Sequence, residues 1–310
     1  MRVVECVPNF SEGRRPEVIE AIVAEAKGVP GITVLDVNPD HDHNRVVVTF
    51  IGEPEAVSEA AFRCCRKASE LIDLNVHKGE HPRMGATDVI PFVPLGEVTM
   101  EECVELANAL GERIANELDI PIYLYERAAR CPERQNLADV RRGEYEGIRD
   151  SIQEPGRRPD FGAAKLHPTA GITAVGARPP LVAFNVNLDT DDLKLAKRIA
   201  KRVRESGGGF KSVKALGVML SERNLAQVTM NMVDYTVTGL LPVYEAIKAY
   251  AAEAGVGIVG SEIVGLLPLQ AMLDDSTLRA SMATSSIACK RCWMSPLRPL
   301  RWSHSSWRRY

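Results

Sequence analysis

Residues 77–88 read HKGEHPRMGATD and bring together several side chains able to do chemistry. His77 and His81 stand four apart, with Lys78, Glu80, Arg83 and Asp88 around them. Such a set fits metal ligation, proton transfer, or no chemistry at all in a solvated polar loop. Two histidines at i, i+4 of a helix can hold zinc, and DHDHN at 40–44 supplies two more. But Gly79 lies between the pair, and Pro82 disfavours helical geometry at His81. Lys78 occupies the position where the zinc-protease pattern needs glutamate, so a cation would sit beside the ion. No protein-bound metal is expected. Proton transfer fits better, because an imidazole with a reference pKa near 6.5 can take and return a proton near neutral pH. Glu80 or Asp88 would orient the ring, and Arg83 would hold an anionic group in bidentate fashion. On composition alone the solvated-loop reading stays open.

Other motifs are weaker. GVGIVG at 255–260 has GxGxxG spacing but follows a predicted helix, whereas a dinucleotide site needs strand, glycines, then helix. No P-loop and no GxSxG is present. GARPPLVAFNVNL at 176–188 sets Arg178 before a strand carrying Asn185 and Asn187 on one face, with HPTAG upstream at 167–171. That region reads either as a ligand-facing loop or as an interdomain connection.

The elements that must position these residues follow a doubled order. Strands are predicted at 2–8, 32–38, 45–52 and 88–95, with helices at 16–28 and 54–73, giving β-α-β-β-α-β. A helix at 99–118 and a strand at 120–126 follow, and then 127–170, rich in Pro, Gly and Arg, reads as long loops. The second half repeats the order: strands at 181–188, 212–220, 225–233 and within 256–266, helices at 191–206 and 241–255. The predicted fold is α+β, two ferredoxin-like subdomains with a ligand cleft between them. The subdomains are placed at 1–178 and 179–275.

Seven of the 38 Lys and Arg, none of the 41 Asp and Glu, and all three tryptophans fall in 276–310. That tail reads as a segment with little structure of its own, or as a non-native end such as translation out of frame. The 31 basic and 41 acidic residues that precede it give the body a net charge of −10. No general attraction to nucleic acid is expected, so an anionic substrate needs a local basic cluster. No apolar run reaches the roughly 18–20 residues of a membrane helix. The N-terminus lacks a secretory pattern, and the seven cysteines are scattered, with Cys64 and Cys103 on helical stretches. Only Cys289 and Cys292 form a CxxC, weak evidence for zinc alone. A cytoplasmic protein without a disulfide framework is expected.

Several irregular segments, in order, resemble the glutamate formiminotransferases: VECVPNFSEG (4–13), NRVVVTFIGEPEAV (44–57), HKGEHPRMGATDVIPFVP (77–94), RRGEYEG (141–147), PDFG (159–162), GARPPLVAFNVNL (176–188) and NLAQVTMNMVDYTVTGL (224–240). The resemblance spans nearly all of 1–275. It implies transfer of a formimino group from N-formimino-L-glutamate to N5 of tetrahydrofolate, a co-substrate, in histidine degradation, without a metal. It places the catalytic histidine at His81. It places the folate-lining segment at Gly162, Ala163, Ala164, Lys165, Leu166, His167, Pro168, Thr169, Ala170 and Gly171. In animals the family is fused to a cyclodeaminase domain; this chain resembles the single-function microbial form, and a homodimer is left open. By residue type, Arg83, Lys165 and Arg178 are expected to neutralise substrate carboxylates. Asn9, Asn44 and Asn185 would supply neutral hydrogen bonds, and Arg45 joins the substrate-binding set. The alternatives are a relative using N-formylglutamate or 5-formyltetrahydrofolate, and a folate-binding protein without turnover.

Overall fold

The computed structural model describes residues 2–41, 43–220, 223–264, 271 and 287–289. The chain divides into two compact units, Met1–Pro179 and Pro180–Tyr310.

The first unit is built on a seven-stranded mixed sheet. Its elements are β1 (Arg2–Cys6), β2 (Asn9–Phe10), α1 (Pro16–Lys27), β3 (Thr33–Asp40), β4 (Arg45–Gly52), α2 (Pro54–Leu71), β5 (Thr87–Gly96), α3 (Met100–Leu118) and β6 (Ile122–Glu126). They continue with α4 (Leu137–Val140), α5 (Glu144–Ser151) and β7 (Thr173–Ala177). The opening strand expected at 2–8 is interrupted at Val7–Pro8, because proline has no N–H for the ladder. Both pieces still lie between β4 and β5, and β3 pairs the outer side of β4. These pairings are antiparallel, whereas β7 joins β5, and β6 joins β7, in parallel.

Apolar periodicity explains the helices. The apolar stripe of α1 buries Val18, Ile19, Ile22, Val23 and Ala26, and Pro16 starts it where a missing N–H costs nothing. The helix α2 buries Val57, Ala60, Ala61, Cys64, Cys65 and Ala68. Burial pushes the Cys65 thiol up to about 11, so it packs as an uncharged core residue. Thr99 and Glu102 close a capping box at the start of α3.

Two features depart from the expected pattern. The strand β7 is TAVGA, buried at every position, so it has no alternation to reveal it. Gly176 is required there, since a Cβ would lie 2.5 Å from the Tyr125 carbonyl oxygen. Residues 127–170, expected as long loops, contain α4 and α5. Only Tyr145 and Ile148 of α5 are buried, too few to show a period.

The second unit carries β8 (Val182–Leu188), α6 (Leu193–Val203), β9 (Val213–Leu220), β10 (Leu225–Met232), α7 (Leu240–Glu253), β11 (Ile258–Val264) and β12 (Ile287–Cys289). The sheet order is β12-β11-β8-β10-β9. Phe184, Val186, Ile199, Val228, Val243 and Ile247 form its core. Asp192 caps α6, accepting from the N–H groups of Lys194 and Leu195 at 2.8 and 3.0 Å. Of the tail 276–310, only Ile287–Cys289 is described, paired in parallel with β11. The rest of that segment, Cys292 included, lies outside the described residues. Among the described residues, no helix is long and apolar enough to cross a membrane.

Candidate active site

The site forms where β2, β4 and the start of β5 meet. The β2–β5 register runs Asn9 to Val89 but Phe10 to Thr87, leaving Asp88 as an extra residue on β5. A bulge of this kind re-aims a side chain out of the regular alternation. Asp88 is 0% exposed. Its Oδ2 accepts from Arg45 Nη1 at 2.8 Å and from Arg141 Nη2, and its Oδ1 accepts from the Met84 N–H at 3.0 Å. Burial alone would raise this carboxyl, but Arg141 and Arg45 outweigh it and hold Asp88 well below the usual carboxylate range. Arg45 also donates from Nε to Asn9 Oδ1 at 3.1 Å, and the Asn9 amide donates to the Val7 carbonyl at 2.7 Å. The break at Val7–Pro8 and the bulge at Asp88 therefore serve one network.

His81 lies beside it. Its Nδ1 is 2.6 Å from the Pro82 carbonyl oxygen. A carbonyl only accepts, so Nδ1 carries the proton and Nε2 keeps the lone pair. The orienting acceptor is thus Pro82, not the Glu80 or Asp88 expected from sequence. Burial, then the charges of Arg45 and Arg141, push the His81 pKa down to about 3, so the ring is neutral at pH 7. The His43 ring meets His81 edge-on, 5.9 Å between centroids, and His43 Nδ1 lies 2.9 Å from Asp40 Oδ2.

The loop is stitched to the β3–β4 turn. His77 is a buried hydrogen-bonding neighbour: Nε2 donates to the Asn44 carbonyl at 2.9 Å, while Nδ1 has no partner among the described residues. The Asn44 side chain donates to the Lys78 carbonyl and accepts from the Gly13 N–H, each at 2.9 Å. Gly79 passes so close that a Cβ would lie 2.2 Å from the His43 carbonyl oxygen. Asn9, Asn44, Arg45 and His81 are thereby brought together, although the first and last are 72 positions apart in sequence.

Arg83 behaves differently. Its guanidinium is engaged by Glu146 of α5 through bonds of 2.9 and 2.8 Å, with Glu144 at 3.5 Å. An incoming anion would have to displace Glu146, so the free bidentate clamp expected at Arg83 is not what the geometry offers. Arg178 donates to the Pro179 carbonyl at 3.1 Å and lies near Glu5 and Tyr125. Burial raises the Glu5 carboxyl, and burial pushes the Tyr125 hydroxyl up to about 12.

Asn185 belongs to a polar row on the second unit's sheet. It donates to Glu262 Oε1 at 3.4 Å, and Gln227 donates to Asn187 Oδ1 at 2.8 Å and Glu262 Oε1 at 3.1 Å. Sequence reasoning did not single out Gln227 or Glu262. The signal for Gln227 was the alternation of polar residues 227, 229 and 231 along β10. Arg141 and Glu146 were also missed, since RRGEYEG has no period to mark them.

The segment Gly162–Gly171 is mixed. Leu166, Ala170 and Gly171 are buried, while Gly162, Ala163, Lys165 and Pro168 are exposed. Gly171 pairs with Gly85, so its end abuts the site loop. His167 Nδ1 accepts from the N–H groups of Thr169 and Ala170 at 3.3 and 3.0 Å, which sets its proton on Nε2 when neutral. Among the described residues, no group of three or more His, Cys, Asp or Glu is arranged to hold a metal ion.

Residues 3–178 match the family profile "Formiminotransferase domain, N-terminal subdomain", and residues 183–287 match "Formiminotransferase domain". A glutamate formimidoyltransferase from Streptococcus pyogenes serotype M1 is 54% identical over 273 residues, 88% of this chain and 91% of that protein. One from Thermoplasma acidophilum is 45% identical over 276 residues, 88% of this chain and 91% of that protein. The formimidoyltransferase-cyclodeaminase of Mus musculus is 48% identical over 279 residues, 88% of this chain but 51% of that longer protein. The chain is an α+β protein with a buried arginine–aspartate cluster beside a neutral histidine. This chain belongs to the formiminotransferase domain family.

Proposed function

We propose that the protein transfers the formimino group of N-formimino-L-glutamate to N5 of tetrahydrofolate, giving 5-formiminotetrahydrofolate and L-glutamate, a step of histidine degradation. The observation that carries this reading is the 54% identity to a glutamate formimidoyltransferase across both units. His81 is assigned as the proton carrier. Its Nδ1–H is committed to Pro82, which leaves Nε2 to accept the proton lost at N5 as the new N–C bond forms. The same nitrogen then returns it to the glutamate nitrogen as the old C–N bond breaks. Burial, and then Arg45 and Arg141, keep the ring neutral beforehand, and an arriving carboxylate would offset the arginines' charge and strengthen His81 as a base. The exposed part of Gly162–Gly171 is assigned to tetrahydrofolate, with Lys165 facing its carboxylates.

Each unit is read as ferredoxin-like, supported by the β3-β4-β1/β2-β5 order of the first and the β9-β10-β8-β11 order of the second. The free, buried Cys6, Cys64, Cys65 and Cys103 suit a reducing cytoplasmic setting.

The test is a transfer assay with tetrahydrofolate and N-formimino-L-glutamate, run in parallel with N-formylglutamate. His81→Ala should fold normally and lose about 10²–10⁴-fold in kcat. Turnover with the formyl donor alone would move the protein to the formyl-transfer reading. Near-normal turnover by His81→Ala would remove His81 from its role.

A further inference from the structure

Arg141 enters the site from outside the sheet. It is the residue immediately after α4, and its side chain is 15% exposed. Its Nη2 donates to Asp88 Oδ2, the same oxygen that accepts from Arg45 Nη1. One carboxylate thus faces two guanidiniums, and a net positive charge remains in a largely buried place. Arg45 has committed Nε to Asn9 and Nη1 to Asp88. The Nε of Arg141 is buried and has no partner among the described residues. A buried N–H without an acceptor is costly, and a guanidinium edge fits a planar, two-oxygen anion.

The chemistry of the donor says which anion. In N-formimino-L-glutamate the nitrogen that leaves is bonded to the carbon bearing the α-carboxylate. A histidine that reaches this nitrogen therefore has the α-carboxylate close by, and the charge of Arg141 acts on His81. We infer that Arg141 binds the α-carboxylate of the formimino donor through the guanidinium edge that Asp88 leaves free, and so selects an α-amino-acid-derived donor. The inference rests on the transfer reading above.

The experiment compares three donors: N-formimino-L-glutamate, its α-carboxamide and its γ-carboxamide. Wild-type protein should prefer the parent over the α-carboxamide by about 10–100-fold in kcat/KM, the weight of one charge-assisted carboxylate contact. Arg141→Gln should raise KM for the parent donor by about the same factor. Its KM for tetrahydrofolate should stay near wild type, and its preference over the α-carboxamide should fall toward parity. Its preference over the γ-carboxamide should persist. Arg141→Lys keeps the charge without the fork and should retain part of the α-preference, which covers the case in which Arg141→Gln does not fold. Full α-preference in either folded variant, or an equal rise in KM for both substrates, would overturn the assignment and leave Arg141 a partner of Asp88 only. Absence of wild-type turnover with the parent donor would instead sink the transfer reading.

Discussion

Replacing Asp88 with asparagine is the most direct probe of the site's framework. The carboxylate is fully buried and accepts from two guanidiniums and the Met84 N–H. Asparagine can keep one acceptor toward Met84, but its amide would then present N–H groups to Arg45 and Arg141. Two charge-assisted bonds would be lost, at about 1.5–3 kcal/mol each, and two cations would remain unpaired. That agrees with the roughly 3–5 kcal/mol typical of breaking a buried ion pair. For a unit of this size, calorimetry should show Tm falling by about 6–20 °C. The pH dependence has a definite sign. A carboxyl held below its ordinary value contributes stability that is complete above about pH 4 and is lost as pH falls through its folded pKa. The wild-type protein should show that acid-side loss, and Asp88→Asn should lack it. Substituting Asp88→Leu, Arg45→Met and Arg141→Met together should recover much of the stability, because three charges no longer need burial, while abolishing turnover. A Tm change below about 2 °C in Asp88→Asn would refute the view that Asp88 holds the two arginines together.

Two further predictions concern the loop. An NMR titration should find the His81 ring neutral well below pH 6, because burial and then Arg45 and Arg141 depress its pKa to about 3. Between about pH 6.5 and that value the unfolded chain binds a proton that the native state does not, so this group's contribution to stability declines as pH falls. Protonation of the free protein's His81 near pH 6–7 would contradict the arrangement. Gly79→Ala would set a methyl against the His43 backbone carbonyl, 2.2 Å from its oxygen. It should destabilise the protein by about 1–3 kcal/mol in chemical denaturation and shift the His77 and His81 resonances. A neutral effect would mean that the two loops are not packed as described.

Much of the scaffold was legible beforehand because its signals are local. The 3.6-residue periods of α1, α2 and α6, and the β-branched residues of β3 and β4, each depend on neighbours a few positions away. The doubled β-α-β-β-α-β order follows from those signals alone. The strand β7 was not legible, since its small residues are buried on both faces and show no alternation. The acid/base reading of HKGEHPRMGATD also came from local facts: proline after His81, glycine after Lys78, and lysine where a zinc site needs glutamate.

The partners of those residues are decided elsewhere in the chain. Arg45 meets Asp88 across 43 positions, Arg141 meets Asp88 across 53, and Glu146 takes Arg83 across 63. No sequence period links such pairs; the sheet register, the bulge at Asp88 and the packing of α4 and α5 do. By itself the sequence determined most of the helices and strands, though not β7, α4 or α5, and which loop holds His81, because backbone preference and apolar periodicity act over a few residues. Only the tertiary structure decided that Asp88 binds arginines rather than His81, that Pro82 sets the histidine tautomer, and that Arg141 completes the charge of the site, because burial and Coulomb energy depend on distance in space.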